Sequence, residues 1–277
     1  MSGRRSCVLI LAVVAGMANL SSLSAETIPT TPGSPPELPH RTRGYLDLTG
    51  LPDSMALLPP PPGPGSPALA RDEAVRESAA ALRGTERWTQ AVTDADLRFP
   101  HAAATFSCAA NLPISEQRTP RLYALLGRSL IDIALSTHRA KAHYKRVRPF
   151  AMHDGQSCTP ANDDAMRKDG SYPSGHGAAG WGWALILVEL FPDRTDAILA
   201  RGRDFGESRV VCNVHWQSDV EAGRVMASAA VARLHAVPSF KADLEAAREE
   251  IDLARAEGAR PDGEACATEA NALRKEP

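Results

Sequence analysis

An all-α fold, a single helical-bundle domain carrying a proline-rich amino-terminal arm, is what three features of this sequence predict. From Asp72 onward, apolar residues recur at helical spacing in stretches rich in Ala, Leu, Glu and Arg. The clusters of Val, Ile and Tyr that mark strands are few in the same region. The prolines are segregated: twelve of the 22 fall between Glu26 and Ala70, among them Pro59-Pro60-Pro61-Pro62, a density that neither a helix nor a central strand can carry. At 277 residues, 43% of them hydrophobic, the chain has enough material for one large domain with a buried core.

Residues 1–25 read as a secretory signal peptide, with Arg4 and Arg5, an apolar run from Cys7 to Met17, and small residues up to Ala25. The apolar run is shorter than the roughly 20 residues a membrane span needs, which makes a retained anchor the lesser alternative. Cleavage is expected after Ala25, although Leu23 is bulkier than the residue usual at that place. Loss of Arg4 and Arg5 takes the formal charge from -2 to -4. Export to a periplasm or to the exterior follows, and no later stretch is long and apolar enough to span a bilayer.

Residues 26–70 form the extended arm, with Leu57 and Leu58 placed to pin it to the body. Residues 71–257 form the all-α domain, with helices expected at about 71–83, 86–97, 120–144, 174–190, 193–211, 217–236 and 239–256. Between them, 149–171 contains Pro, Gly, Asn and Asp without periodicity and reads as a long surface loop near a pocket. Residues 258–277 are polar and are expected to fray except where Cys266 holds them.

The near balance of charge, with no long run of Lys or Arg, argues against nucleic acid or an anionic membrane as a partner. An anion, if bound, is bound locally. Three short stretches are suited to that: Lys141-x6-Arg148-Pro149, Pro173-Ser174-Gly175-His176 and Ser208-Arg209-x5-His215-x3-Asp219. Pro173 and Ser174 precede a long apolar run, the pattern of a capped helix start whose free amides and dipole attract anions, and Gly175 lets the backbone approach a ligand. His215 and Asp219, four apart, are spaced to share a helical face, where the carboxylate can accept the Nδ1 proton and leave Nε2 as an unprotonated nucleophile. Arg209 offers a planar fork for two oxygens of a tetrahedral oxyanion. Lys141 and Arg148 add two cations, so that three positive charges and helix amides can neutralise a phosphate dianion without Mg2+. His143, Lys145 and Arg146 read as a solvated basic face. His40, His101, His138, His153 and His235 read as structural or surface residues, and Tyr172 and Trp216 as core, with stacking on a nucleoside or aryl group as their alternative.

With Cys7 in the signal, Cys108, Cys158, Cys212 and Cys266 remain, an even number that favours two disulfides in an exported chain. No two of them are close enough in sequence for a paired metal-ligand motif. Cys158 and Cys212 flank segments that must converge, so the preferred pairing is Cys158 to Cys212, with Cys108 to Cys266 as the remainder.

Taken together, the three motifs resemble the signature of the superfamily that contains type 2 phosphatidic acid phosphatases and vanadium haloperoxidases. The text from Gly170 to His176 and from Gly206 to Asp219, with Pro52-Asp53-Ser54, Leu57-Leu58 and the proline run, is similar to the bacterial class A non-specific acid phosphatases. Gly177 departs from the pattern, since many relatives carry Thr there. The resemblance implies an acid phosphatase acting on small phosphomonoesters without a cofactor or metal. His215 would form a phosphohistidine oriented by Asp219, and His176 would protonate the leaving group. Lys141, Arg148, Ser174, Gly175, His176 and Arg209 would hold the phosphoryl oxygens. An alcohol in place of water would give phosphotransferase activity. The alternatives are a haloperoxidase holding vanadate on His215, a membrane lipid phosphatase, which the lack of spanning helices disfavours, and an exported phosphate-binding protein, which would not need His215 with Asp219. The physiological substrate and the oligomeric state stay open, although a proline-rich arm beside a helical body is suited to mediate a homo-oligomer.

Overall fold

In the computed structural model, which describes residues 43–274, the chain folds into helices joined by short loops, and no strand occurs among the described residues. The expected signal peptide, 1–25, and the first part of the expected arm lie outside them. In chain order the helices are α1 (Ser54–Leu57), α2 (Pro67–Ala80), α3 (Glu86–Thr93), α4 (His101–Ala104), α5 (Ser107–Ala110), α6 (Pro120–Ser136), α7 (His138–Tyr144), α8 (Pro149–Met152), α9 (Asp163–Met166), α10 (Gly175–Leu190), α11 (Thr195–Val211), α12 (Gln217–Leu234), α13 (Pro238–Ala256) and α14 (Gly263–Ala272).

Helix α10 is the centre of the bundle. Its sequence is apolar around most of its circumference, and a helix of that kind must be covered on nearly every side. Packed on it are α11, α12 and α6, with Trp183, Phe205, Phe106, Leu125, Leu126 and Ile133 filling the space between them. The close approach of α10 and α11 needs glycine: a Cβ on Gly202 would sit 2.5 Å from Ala184 Cβ and 2.9 Å from Gly180 O. Gly223 serves the same end for α12, because a Cβ there would lie 2.5 Å from the carbonyl oxygen of Ser174, at the mouth of α10. Small residues thus bring the ends of three helices that carry the sequence motifs to one place.

Several boundaries differ from those expected. The arm ends earlier than residue 70, because Ser66 caps α2 by accepting a hydrogen bond from Leu69 N at 3.1 Å and Pro67 starts the helix. Leu58 packs with Ala140, Tyr172, Ala222 and Met226, whereas Leu57 is exposed, so only one of the two leucines pins the arm. The expected helix over 120–144 is divided at Thr137, where the hydroxyls of Ser136 and Thr137 bond back to the carbonyls of Ile133 and Ala134 at 2.7 Å each and compete with the backbone ladder. Within the described part of the tail, the stretch around Cys266 is helical, with Asp262 capping α14 through Glu264 N and Ala265 N, and residues 275–277 lie outside the described residues. The stretch over 149–171 contains α8 and α9 and buries Phe150 and Cys158, and so is better described as a folded flap than as a free surface loop.

Candidate active site

Three segments meet at the amino-terminal end of α10. Ser174 caps that helix, accepting a hydrogen bond from Gly177 N at 3.1 Å, and is fully buried. A Cβ on Gly175 would meet nothing within 4 Å, so the backbone here faces open space at the helix start. The Nε2 of His176 lies 3.1 Å from the carbonyl oxygen of Ala95, which can only accept, so Nε2 carries a proton and Nδ1 is the nitrogen that exchanges one.

The second segment follows α7. Lys145 adopts a left-handed conformation (φ 44°) that ends the helix, and the chain then runs extended to Arg148, as the residue before a proline must. The Nζ of Lys141 donates to the carbonyl of Gly170 at 2.7 Å. Arg148 is buried, and its Nη1 reaches Val214 O at 3.0 Å and His215 Nε2 at 3.2 Å.

The third segment joins α11 to α12. Arg209 sits in the last turn of α11, and its carbonyl accepts from both Val214 N and His215 N, at 3.1 and 3.3 Å, so the chain folds back and brings His215 over that turn. Asn213 makes the turn possible with φ 61°, a left-handed conformation that Asn tolerates better than most residues. His215 Nδ1 faces Asp219 Oδ2 at 3.3 Å, and both residues are buried. They do not share a helical face, as their spacing suggested. His215 lies two residues before the start of α12, and Asp219, in its first turn, accepts from Trp216 N at 2.9 Å in the manner of a helix-capping carboxylate.

Electrostatically the cluster gathers positive charge and unpartnered donors suited to an anion. Arg209 is buried, and its Nε and Nη1 have no hydrogen-bond partner among the described residues. Burial, reinforced by Arg148, lowers its pKa to about 10. Burial lowers Lys141 to about 8 in spite of Asp169 nearby. His215 is held well below the ordinary imidazole range by burial, then by Arg148, Lys141 and Arg209. His176 is depressed likewise by burial and by Arg209, against the pull of Ala95 O. Both imidazoles are therefore neutral near pH 7, and an arriving anion would raise both. Buried donors without acceptors cost free energy unless a ligand supplies the acceptors.

The PAP2 superfamily pattern matches residues 121–242, which run from α6 into α13. Over 208 residues the chain is 46% identical to a non-specific acid phosphatase of Providencia stuartii, covering 75% of this chain and 84% of the relative. An acid phosphatase of Zymomonas mobilis is 42% identical over 220 residues, 79% of this chain and 83% of the relative. A non-specific acid phosphatase of Salmonella typhimurium is 40% identical over 202 residues, 72% of this chain and 80% of the relative. The chain belongs to the non-specific acid phosphatases of the PAP2 superfamily.

In this member of the superfamily, two features escaped the sequence reading. Arg146, read as part of a solvated basic face, turns its side chain inward and leaves only 8% of it exposed. Its Nη1 donates to Asp219 Oδ1 at 2.7 Å and to Ser218 Oγ at 2.8 Å, and its Nη2 to Asp72 Oδ2 at 2.8 Å. Asp72 in turn accepts from Ser218 N at 2.9 Å and Ser218 Oγ at 2.6 Å, tying α2 to the start of α12. Burial lifts Asp219 above the ordinary carboxylate range, and Arg146 opposes that lift. The second feature is Asp94. It accepts from Ser208 Oγ at 2.6 Å and precedes Ala95, so one short segment supports the neighbour of Arg209 and the carbonyl that holds His176. The Ser208 hydroxyl, grouped with Arg209 from sequence, serves this support. A lone Arg beside a motif and an Asp at the end of a helix carry no signal that would have revealed either role.

The four cysteines pair as Cys158 with Cys212 and Cys108 with Cys266, at Cα separations of 4.7 and 5.3 Å. The first joins the flap to the end of α11, and the second joins α14 to α5. Trp216 and Tyr172 are core residues: Trp216 Nε1 donates to Val147 O at 2.9 Å, and the Tyr172 hydroxyl to Pro59 O at 2.9 Å. No described helix is long and apolar enough to cross a membrane.

Proposed function

We propose that this chain is an exported, metal-independent acid phosphatase that hydrolyses a range of small phosphomonoesters through a phosphohistidine on His215. The observation that carries the reading is the pair of buried, unpartnered donor nitrogens on Arg209 within electrostatic reach of a histidine whose Nδ1 faces a carboxylate. With the His215 Nδ1–H donating to Asp219 Oδ2, the lone pair of His215 is on Nε2, where Arg148 Nη1 lies at 3.2 Å. A phosphoryl oxygen takes over that Nη1 donor as Nε2 approaches phosphorus.

His215 Nε2 then bonds to phosphorus while the ester P–O bond breaks, and the departing alkoxide takes a proton from His176 Nδ1. His176, now neutral, accepts a proton from a water that attacks the phosphohistidine, and orthophosphate leaves with the P–N bond broken. An alcohol attacking in place of water gives a new phosphomonoester, a phosphotransferase reaction. Lys141, Arg148, Arg209 and the amides at the start of α10 stabilise the charge on the equatorial oxygens. Because His176 must be protonated while burial and Arg209 depress it, turnover is expected to be fastest in mildly acidic solution. The charged and apolar order of residues 1–25, with two disulfides, supports export.

The test is hydrolysis of a chromogenic phosphomonoester in excess chelator, with acid-quench trapping of radioactive phosphate on the protein. Rapid hydrolysis inhibited by vanadate, label on the wild type and none on His215→Ala are expected. His176→Ala should still be labelled by esters whose leaving groups need no protonation. Equal labelling of His215→Ala refutes the nucleophile, and halide oxidation dependent on vanadate refutes the phosphatase.

A further inference from the structure

Arg148 has five N–H donors, and protein acceptors occupy all of them. Nε points at Met166 O (3.0 Å) and Asp169 O (3.2 Å), Nη1 at Val214 O and His215 Nε2, and Nη2 at Asp169 Oδ2 (3.1 Å) and Gly170 O (3.4 Å). Lys141 has Gly170 O at 2.7 Å and the same Asp169 Oδ2 at 3.7 Å. Of the three cations, Arg209 is the one with side-chain nitrogens that have no hydrogen-bond partner among the described residues. A phosphoryl group can therefore engage Arg148 only by exchange, and of its acceptors the two that belong to side chains are His215 Nε2 and the Asp169 carboxylate. Backbone carbonyls of packed loops cannot leave as readily. Among the described residues, Asp169 is also the one carboxylate in direct contact with Arg148 and Lys141. Asp219 acts on them from farther away, with its own oxygens committed to Trp216 N, Arg146 and His215.

Asp169 is built to be displaced. Its side chain is 54% exposed, unlike those of Lys141 and Arg148 at 13% and 6%. Its main chain is anchored without the carboxylate, since the carbonyls of Asp169 and Gly170 accept from Arg148 and Lys141 and Gly170 packs against the end of α7. Like charges at one cation exclude each other, so carboxylate and phosphate compete for the same donors.

We infer that Asp169 is an internal competitor of the substrate phosphate, a carboxylate that neutralises Lys141 and Arg148 and sets how tightly this phosphatase holds its phosphomonoester and its orthophosphate product. The inference rests on the phosphate-binding reading above. By occupying Arg148 Nη2 and facing Lys141, the carboxylate weakens ground-state binding of the anion and hastens the exit of orthophosphate, which would otherwise be trapped by two buried arginines and the half-buried Lys141.

The experiment measures inhibition by orthophosphate, with vanadate as a second probe, for the wild type, Asp169→Asn, Asp169→Ala, Asp169→Glu and Arg209→Gln, with thermal midpoints recorded for each. Asp169→Asn keeps the shape and a hydrogen-bond acceptor but loses the charge. It and Asp169→Ala are expected to bind orthophosphate roughly two- to tenfold tighter at low ionic strength, the gain fading as salt rises, with KM falling in parallel. Asp169→Glu, which keeps the charge, should stay near the wild type and guards against an effect of substitution alone. Unchanged or weaker binding by Asp169→Asn overturns the inference, because the carboxylate would then serve to orient the cations. If orthophosphate does not inhibit the wild type, or inhibits Arg209→Gln equally well, the phosphate site itself is refuted, an outcome separate from any result at Asp169.

Discussion

Two arginines on α11, Arg201 and Arg209, stand two turns apart and are equally buried, yet their surroundings are opposite. Arg201 meets a carboxylate at each of its three nitrogens. Its Nη2 and Nη1 bind Asp94 at 2.6 and 3.2 Å, its Nε binds Glu269 at 3.1 Å, and these carboxylates outweigh burial so that its pKa is raised. Arg209 has two orphaned nitrogens, a neighbouring cation in Arg148, and a pKa lowered to about 10. A buried cation with its counter-charges supplied by the fold is a brace, whereas one without them awaits a counter-charge from a ligand. The contrast separates structural from functional charge on a single helix more sharply than residue type or burial could.

The largest expected effect falls on the brace. Arg201→Met strands Asp94 and Glu269 and should cost about 3–5 kcal/mol of stability in denaturant titration, with a smaller loss of turnover per folded molecule than Arg209→Met, felt through Asp94, which also holds Ser208 and precedes Ala95. Loss of turnover without loss of stability would reverse the assignment. Arg209→Met should do the opposite: kcat/KM falls by roughly 10²–10³, while the thermal midpoint holds or rises because an uncompensated charge has been removed. A fall in midpoint to match that of Arg201→Met would break the comparison. Next comes the tether of the brace. Replacing Cys108 and Cys266 by serine frees α14, which carries Glu269, and should lower stability by about 2–4 kcal/mol with the phosphate site intact. Inhibition by orthophosphate should be unaltered, and a weakened inhibition would show that the brace and the site are coupled.

The smallest effect concerns Lys141, the one site cation that titrates in an accessible range. Because burial lowers its pKa from 10.5 to about 8, it loses its charge in the free enzyme as pH rises through about 8, and kcat/KM should decline there. Lys141→Arg should move that limb to higher pH, and an unmoved limb would assign it elsewhere. The sign for stability is opposite. Between about 8 and 10.5 the unfolded chain holds the proton that the folded chain has released, so the Lys141 contribution should become more favourable as pH climbs through that window.

Much of the site was readable because its chemistry needs particular residue types at particular spacings. Ser174 as a cap, Arg209 as a fork and the imidazole at His215 could be picked out from one dimension. The supports were hidden. Arg146 looks like its solvated neighbours Lys145 and His143, and only burial against Asp72 from α2, some seventy residues earlier, distinguishes it. Asp169 and Asp94 are likewise unremarkable acidic residues in loops until the fold sets them against Arg148 and Arg201. The i,i+4 spacing of His215 and Asp219 led to the right pair by the wrong geometry, since a capping carboxylate reaches back to the residues before a helix as readily as a facing one reaches along it.

Sequence alone was enough to specify an all-α body, most of its long helices, and candidate groups for holding and attacking a phosphate, because periodicity, capping and reactive side chains are local properties, while the cysteine pairing was one preference among three connectivities that the fold then supplied. Tertiary structure decided which charges were left without partners. Whether a buried arginine braces or binds depends on carboxylates that arrive from distant helices. Arg201 pairs with Asp94 and Glu269, Arg209 feels Asp94 only from a distance and forms no ion pair among the described residues, and nothing in the residues flanking either one records the difference.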